Sequence, residues 1–364
     1  MLEADVEVDR REFAVRATLS VAPGERLALF GPSGAGKTTV LEAIAGLVLP
    51  RRGRVTLGGR VLTSTEPPAC HLPPWQRRVG LLRQDPGLFP HLSVRDNLCY
   101  APGTDPSGAE LAQVAGTLGI SGLLPTMPAR LSGGQAHRVA LGRLLLAHCE
   151  AMLLDEPYTG LDASLRRVLT ELVVELVTAR SVPAMLVAHE LAEAQAFADQ
   201  LAIIDRGILL QIGAPDEVVL RPASRRVAEL VGYLGFVPRP RPEKGPAGGQ
   251  GVRRMPETGE MREDAVAGVH PERVIPGAHP GRGLVLTGKV AGCRPAGAGW
   301  EADLTVGDSA VVCRLPERLA AVGGDLVVTA VDPPWFGPDG AAIAAPGWPA
   351  APPRRPADPE QART

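Results

Sequence analysis

A strong charge of either sign is missing from this chain. Lys and Arg number 38 against 40 Asp and Glu, a formal net charge of −2, which supplies no global attraction to nucleic acid. A local basic stripe could substitute, yet no such run is longer than an Arg-Arg pair. Long apolar runs are also missing. None approaches the ~18 residues that a membrane span requires, and the longest candidate, 139–155, is interrupted by Arg143, His148 and Glu150. Work at a membrane would therefore need other chains to supply the passage. Glu3, Asp5, Glu7 and Asp9 stand where a secretory signal would carry its apolar stretch, so no signal peptide is expected. The cysteines Cys70, Cys99, Cys149, Cys293 and Cys313 lack CxxC or CxH spacing, and read as reduced thiols of a cytosolic protein.

What is present suffices for a core: 45% of the residues are apolar, and a length of 364 suits one large domain plus a smaller one, or two or three in all. The most specific stretch is Gly31-Pro32-Ser33-Gly34-Ala35-Gly36-Lys37-Thr38, with an apolar run at 27–30 before it and a helical pattern opening at Thr39 after it. Strand, Gly-rich turn and helix make the loop that wraps a nucleotide triphosphate. Gly31, Gly34 and Gly36 let backbone N–H groups turn inward, and the helix directs its positive end at the β-phosphate. Lys37 is placed to reach the β/γ oxygens and the Thr38 hydroxyl to hold Mg²⁺. Residues 31–39, Thr39 included, form the expected nucleotide-binding stretch.

Along the chain, residues 1–30 alternate like antiparallel strands, with Val6, Val8, Phe13 and Val15 inward. Phe13 would either stack on an adenine or serve as an ordinary core aromatic. The helix after the loop ends near Gly46, and 54–57 and 60–62 flank Gly58-Gly59 as a hairpin. A short strand at 79–82 leads to Gln84, and 94–127 is varied and partly helical. Ser132 is a good N-cap for a helix opening with Gly133, Gly134 and Gln135, a second anion-accepting helix start. Residues 152–154 read as a buried parallel strand ending in Asp155 and Glu156. Neighbouring side chains on a strand diverge, so Asp155 suits Mg²⁺ while Glu156 suits polarising a water. Asp162 caps a helix with an apolar stripe from Leu165 to Leu176, 183–188 is a buried strand ending at His189, and 201–205 with 208–212 forms a hairpin. Residues 236–263, rich in Pro, Gly and charge, read as a flexible linker. From 264 to 335 short alternating strands suggest a small all-β barrel, and 336–364 reads as a disordered tail.

In order and spacing, GPSGAGKT, Gln84, LSGGQ (131–135), MLLDE (152–156), Gly160-Leu161-Asp162 and His189 resemble the ATP-binding cassette ATPase of ABC transporters over roughly residues 1–232. The resemblance implies an α/β P-loop NTPase cassette over 1–235, with a RecA-like core, an antiparallel β subdomain and a helical subdomain. An OB-like accessory domain would follow. It implies ATP and Mg²⁺ as ligands and a head-to-tail dimer sharing two ATP molecules. Ser132 and Gly134 would then contact the γ-phosphate held by a second copy, with Asp162 at the seam. Gln84 would sense γ-phosphate and Mg²⁺, Glu156 would act on water, and His189 would contact the γ-phosphate. Thr38, Gln84 and Asp155 are the implied metal residues. The implied partners are a second copy, membrane permease subunits and, indirectly, an extracytoplasmic solute-binding protein, with no nucleic acid. The implied place is peripheral, on the cytoplasmic face of the plasma membrane.

The stretch from Arg77 through Gln84 to His91 is most similar to molybdate importer ATPases, and Gly59-Arg60-Val61-Leu62 fits the importer group. Sulfate, ferric iron and polyamine importers are the alternatives. An exporter ATPase usually lacks the C-terminal β domain. An ABC ATPase acting on nucleic acid or ribosomes typically carries two cassettes, a coiled coil or zinc-binding insertions. Residues 268–272 resemble the accessory domain, which would sense oxyanion or serve only in dimerisation. Two positions depart from the family: His137, where Gln is usual, and Gly142, where Ala is usual. Neither is expected to touch the chemistry, and Gly142 should cost the helix about 1 kcal/mol against Ala.

Overall fold

The computed structural model describes residues 1–101, 108–238, 264–279 and 282–343. The described residues divide into two compact units, 1–215 and 216–343.

The first unit contains strands β1 (Leu2–Asp9), β2 (Ala14–Val21) and β3 (Arg26–Phe30), then helix α1 (Lys37–Ala45). Next come β4 (Arg52–Leu57), β5 (Arg60–Ser64), β6 (Cys70–His71), β7 (Val79–Leu82), α2 (Val94–Leu98), α3 (Ala109–Thr117) and α4 (Gly133–Leu146). It closes with β8 (Ala151–Asp155), α5 (Ala163–Arg180), β9 (Ala184–Val187), α6 (Leu191–Phe197), β10 (Gln200–Asp205) and β11 (Ile208–Gly213). Eleven strands form one sheet in the order β6-β5-β4-β1-β2-β11-β10-β3-β9-β8-β7.

The two ends of that sheet obey different rules. β1 alternates buried and exposed residues along most of its length and pairs antiparallel with β2 and β4, as in a sheet wetted on one face. The β4–β5 turn places Gly58 and Gly59 at φ +57° and +80°, the left-handed pair that a two-residue hairpin needs. At the other end β3, β9, β8 and β7 run parallel, and every residue of β8 and β9 is buried. Such strands need cover on both faces and are largely apolar, with Asp155 at the end of β8 the exception.

Helix α1 ends at a left-handed Gly46, as expected, but its last carbonyls gain a partner that the sequence does not announce. Arg77, 0% exposed, donates from Nη1 to the carbonyls of Ala43 (3.4 Å) and Ile44 (2.8 Å), from Nε to Leu72 O (2.8 Å), and from Nη2 to Thr63 Oγ1 (2.8 Å). One buried guanidinium thus closes the helix's carbonyl end and holds it against the β5–β6 edge. Gly142 also finds a reason here. A Cβ at that position would sit 2.7 Å from Leu98 Cδ2 and 2.8 Å from Leu118 Cδ1. The residue that weakens α4 in isolation is the one that lets α2 and residue 118 pack on it.

In the second unit, α7 (Pro215–Leu220) and α8 (Arg225–Leu230) precede β12 (Gly235–Pro238), β13 (Val266–Val269), β14 (Val274–Pro276) and β15 (Gly283–Ala296). Then follow β16 (Gly299–Val306), β17 (Ser309–Leu315), β18 (Asp325–Val331), β19 (Trp335–Phe336) and β20 (Ala342–Ile343). They form a four-stranded sheet, β12-β13-β19-β20, and a five-stranded one, β14-β18-β15-β16-β17, around one core that includes Val237, Leu286, Cys313 and Trp335.

Two expectations at the borders of this unit are corrected. Residues 236–238, expected in the linker, are strand β12, paired antiparallel with β13. Residues 336–343, expected in a disordered tail, include part of β19 and all of β20. Both are short pieces beside Pro- and Gly-rich stretches, and their order comes from pairing with distant strands. The remainder of both expected segments, 239–263 and 344–364, lies outside the described residues.

Candidate functional site

Four sequence motifs leave the sheet along one edge. β3, β9, β8 and β7 are parallel neighbours, with Leu29 in register with Val187, Val187 with Asp155, and Leu154 with Leu82. Gly31, His189, Glu156 and Gln84 each follow within two residues of these positions. The carboxyl edge of a parallel sheet is where open α/β folds bind ligands.

The loop from Gly31 to Thr38 is built by exclusion of side chains. Gly34 and Gly36 have φ of +78° and +105°. A Cβ on Gly31 would meet Ile204 O at 1.9 Å, and one on Gly36 would meet Val15 Cγ2 at 2.6 Å. Lys37, buried, donates from Nζ to Gly31 O (2.8 Å) and Pro32 O (2.9 Å). Burial pushes its ammonium below the usual lysine range, while the Glu156 and Asp155 carboxylates pull it back up. Helix α1 has neither a side-chain cap nor an acidic residue in its first turn. The helix's own residues therefore offer nothing to offset its positive end. The buried Thr39 hydroxyl also has no partner among the described residues. A cradle of N–H groups with an ammonium fits a polyphosphate.

Thr38 Oγ1 donates to Asp155 Oδ1 at 3.2 Å. Asp155 is 4% exposed, and burial pushes its carboxyl up against the opposing Thr38 bond. A hydroxyl and a carboxylate oxygen are hard donors of the kind that hold Mg²⁺ beside substrate phosphates, where few protein ligands are needed. Next along the chain, Glu156 accepts from Gln84 Nε2 at 3.2 Å. Asp155 and Glu156 thus have different partners, as the alternation of a strand requires.

At the start of α4, Ser132 Oγ accepts from Gln135 N (3.3 Å) while Gln135 Oε1 accepts from Ser132 N (2.9 Å), a reciprocal capping box. Ser132 and Gly133 are exposed. Asp162 caps α5 by accepting from Leu165 N at 3.0 Å. His189 is exposed, and its N–H donates to Glu193 Oε2 at 3.2 Å. Phe13 is half-buried against the core, with its ring edge beside Gly207.

The ABC transporter family model matches residues 15–159. The Fe(3+) ions import ATP-binding protein FbpC of Mesorhizobium japonicum is 40% identical over 223 residues, 60% of this chain and 61% of that protein. The chain spans about three fifths of the length of such iron-import relatives. The molybdate/tungstate import ATP-binding protein WtpC of Thermococcus kodakarensis is 37% identical over 239 residues, 64% of this chain and 70% of that protein. The chain belongs to the ABC transporter family. A solved ATP binding subunit of an ABC transporter shares the cassette fold, with 28% identity and a TM-score of 0.52 over 64% of this chain and 95% of that one.

Within this ABC cassette the structure brings together Lys37, Thr38, Asp155, Glu156 and Gln84 at one end of the sheet. Ser132 to Gln135 cap their own helix. Two supporting residues escaped the sequence reading. Glu193 holds the His189 backbone. Its signal was an acidic residue in a helix's first turn, but the helix pattern there was too short to notice. Arg143 donates to Pro86 O and Gly87 O, both at 3.1 Å, and lies over the Phe89 ring, joining α4 to the loop after Gln84. Burial lowers its pKa, with Tyr100 opposing. His137, which the sequence marks as a departure, is buried in α4.

Proposed function

We propose that the chain is the ATP-hydrolysing subunit of an ABC importer. One observation carries this reading: Lys37, the Thr38–Asp155 pair and the Gln84–Glu156 pair converge beside the start of α1, which has no side-chain cap. Backbone N–H groups of residues 34–39 and the Lys37 ammonium bind and orient the phosphates of ATP. Thr38 and Asp155, with Gln84 near them, would hold Mg²⁺, which supplies charge neutralisation between the phosphates when bound. Glu156 orients the attacking water and takes its proton, and Gln84 fixes the direction of that carboxylate. His189 completes the γ-phosphate's surroundings, and Phe13 offers an apolar face for the base.

The capped helix start at Ser132–Gln135 faces outward with its leading N–H groups uncommitted. We assign it to the ATP of a second copy, so that two chains close head to tail on two nucleotides. Closure would drive permease subunits fed by a solute-binding protein, with this chain peripheral on the cytoplasmic side. Among the described residues no helix is long and apolar enough to cross a membrane.

The substrate reading favours an oxyanion such as molybdate, supported by the Arg77–His91 stretch and by the relative named for molybdate and tungstate. The iron-import relative supports ferric iron as the second reading. Purifying the chain from solubilised membranes and testing the co-purified permease for uptake of each ion separates the two.

The direct test of the hydrolytic role is E156Q. ATP binding should persist, turnover should vanish, and a dimer should accumulate on sizing with ATP and Mg²⁺. A monomer with undiminished hydrolysis would refute it.

A further inference from the structure

His189 is the first residue after β9 whose N–H the sheet does not hold. The Ala188 N–H still reaches Leu29 O on β3 at 3.1 Å, and the ladder stops there. The His189 side chain is exposed, and its ring makes no hydrogen bond among the described residues. A side chain without partners takes only the rotamers its backbone allows. Whatever fixes the His189 main chain therefore sets where the ring can point.

Two side chains hold that stretch of chain. Glu193, 9% exposed, accepts the His189 N–H on Oε2 at 3.2 Å. Arg166 donates from Nη1 to Oε2 of Glu190, the residue next to His189, at 2.8 Å. The same guanidinium donates from Nη2 to Leu161 O at 3.4 Å. One planar group thus grips both the chain just after His189 and the turn Gly160-Leu161-Asp162. That turn is in addition fixed to the start of α5. Asp162 Oδ1 accepts from Leu165 N at 3.0 Å, and Asp162 O accepts from Arg166 N at 2.9 Å.

Arg166, Glu190 and Glu193 also line one cleft of about 320 Å³ between α5 and α6. The Arg166–Glu190 pair is partly exposed there, and an ion pair in that setting adds little stability. Its consequence is geometric, since residues 161 and 190 cannot shift independently while the guanidinium spans them.

We propose that Glu193 and Arg166 are positioning residues for His189: the Glu193 carboxyl fixes its main chain, and the Arg166 guanidinium locks the next residue to the turn at 160–162. The direction of the His189 ring and the place of that turn are set together. The proposal rests on the reading of His189 as a contact of the γ-phosphate.

Steady-state hydrolysis by the full chain with ATP and Mg²⁺ tests this, with substitutions made singly and in an H189A background. H189A should lower kcat by about a hundredfold. E193A and R166A should each lower kcat by roughly fivefold or more through misalignment, with KM for ATP within about twofold of wild type. E193Q should restore most of the lost kcat, since its amide oxygen still accepts the His189 N–H. Added to H189A, neither E193A nor R166A should slow the residual rate further, because the ring through which each acts is gone. E193A or R166A at the wild-type kcat overturns the proposal, as does an undiminished further loss in the H189A background. H189A at the wild-type rate overturns the reading of His189 and this proposal with it. Should E193A not fold, amide exchange of the ¹⁵N-histidine-labelled wild-type chain decides. The His189 N–H should exchange at least about tenfold more slowly than in an unstructured peptide. Exchange at the peptide rate would refute the proposal.

Discussion

Thr38 and Asp155 are 117 positions apart in the chain, and their side-chain oxygens meet at 3.2 Å. That contact joins the first turn of α1 to the end of β8, two places from β3 in the sheet, and it lies where the proposed function puts Mg²⁺. D155N should keep the fold, since Asn preserves the shape and still accepts a hydrogen bond from Thr38. Mg²⁺-dependent phosphate release should fall on the order of a hundredfold or more. Binding of a fluorescent ATP analogue without Mg²⁺ should persist. Unchanged release would remove Asp155 from the metal role.

Arg77 predicts a stability effect without a loss of chemistry groups. Its guanidinium meets carbonyls of α1, Leu72 O and the Thr63 hydroxyl, and has no carboxylate partner among the described residues. R77A leaves those acceptors buried and unpaired, and should cost on the order of 3 kcal/mol. R77K should recover part of it, because an ammonium offers fewer donors in a different geometry. Urea unfolding midpoints provide the measurement, and an R77A midpoint equal to wild type would contradict the assignment.

Gly142 gives a prediction of sign. Gly to Ala within an exposed helix stabilises by about 1 kcal/mol. Here the added methyl meets Leu98 and Leu118, both fully buried, at under 3 Å, and overpacking costs about 1–3 kcal/mol. G142A should therefore lower the melting temperature slightly. A rise would mean that the two leucines yield freely.

The pair Arg26–Asp199 should shape stability in acid. Burial opposes the charge on Asp199, but hydrogen bonds from the Arg26 side chain and N–H outweigh it and hold the carboxyl below its ordinary range. A carboxyl lowered in the folded state stabilises above its unfolded value, about 4, and that contribution is lost as pH falls through the folded value. Wild type should thus exceed D199N in stability near neutrality, with the gap closing below about pH 4. A gap that stays constant down to low pH would show that the charge of Asp199 contributes nothing.

The parts of this molecule legible in the sequence are those whose signal is local. The loop at Gly31–Thr38 and the run into Asp155-Glu156 declare their conformation within a few residues, since glycine spacing and apolar length suffice. Ser132 and Gln135 carry the full capping-box spacing, though only the Ser132 half was read. Gly142 looked like a harmless departure because what it touches, Leu98 and Leu118, arrives from other parts of the chain. Arg77 was invisible as a helix cap, since it follows the end of α1 by some thirty residues. β12 and β20 escaped for the same reason. Each is too short to show a period, and each is ordered by its pairing partner.

The capping box at the start of α4 has a chemical corollary. Ser132 Oγ spends a lone pair on Gln135 N, and the Gln135 side-chain oxygen is spent on Ser132 N. The Ser132 carbonyl is turned down the helix to Ala136 N. The hydroxyl hydrogen and the N–H groups of Gly133 and Gly134 remain directed outward. With one lone pair of each side-chain oxygen already used, this tip of the protein gives hydrogens more readily than it takes them, and so favours a neighbour rich in anionic oxygens over one made only of donors. The surface thus sorts its visitors by polarity before shape is consulted.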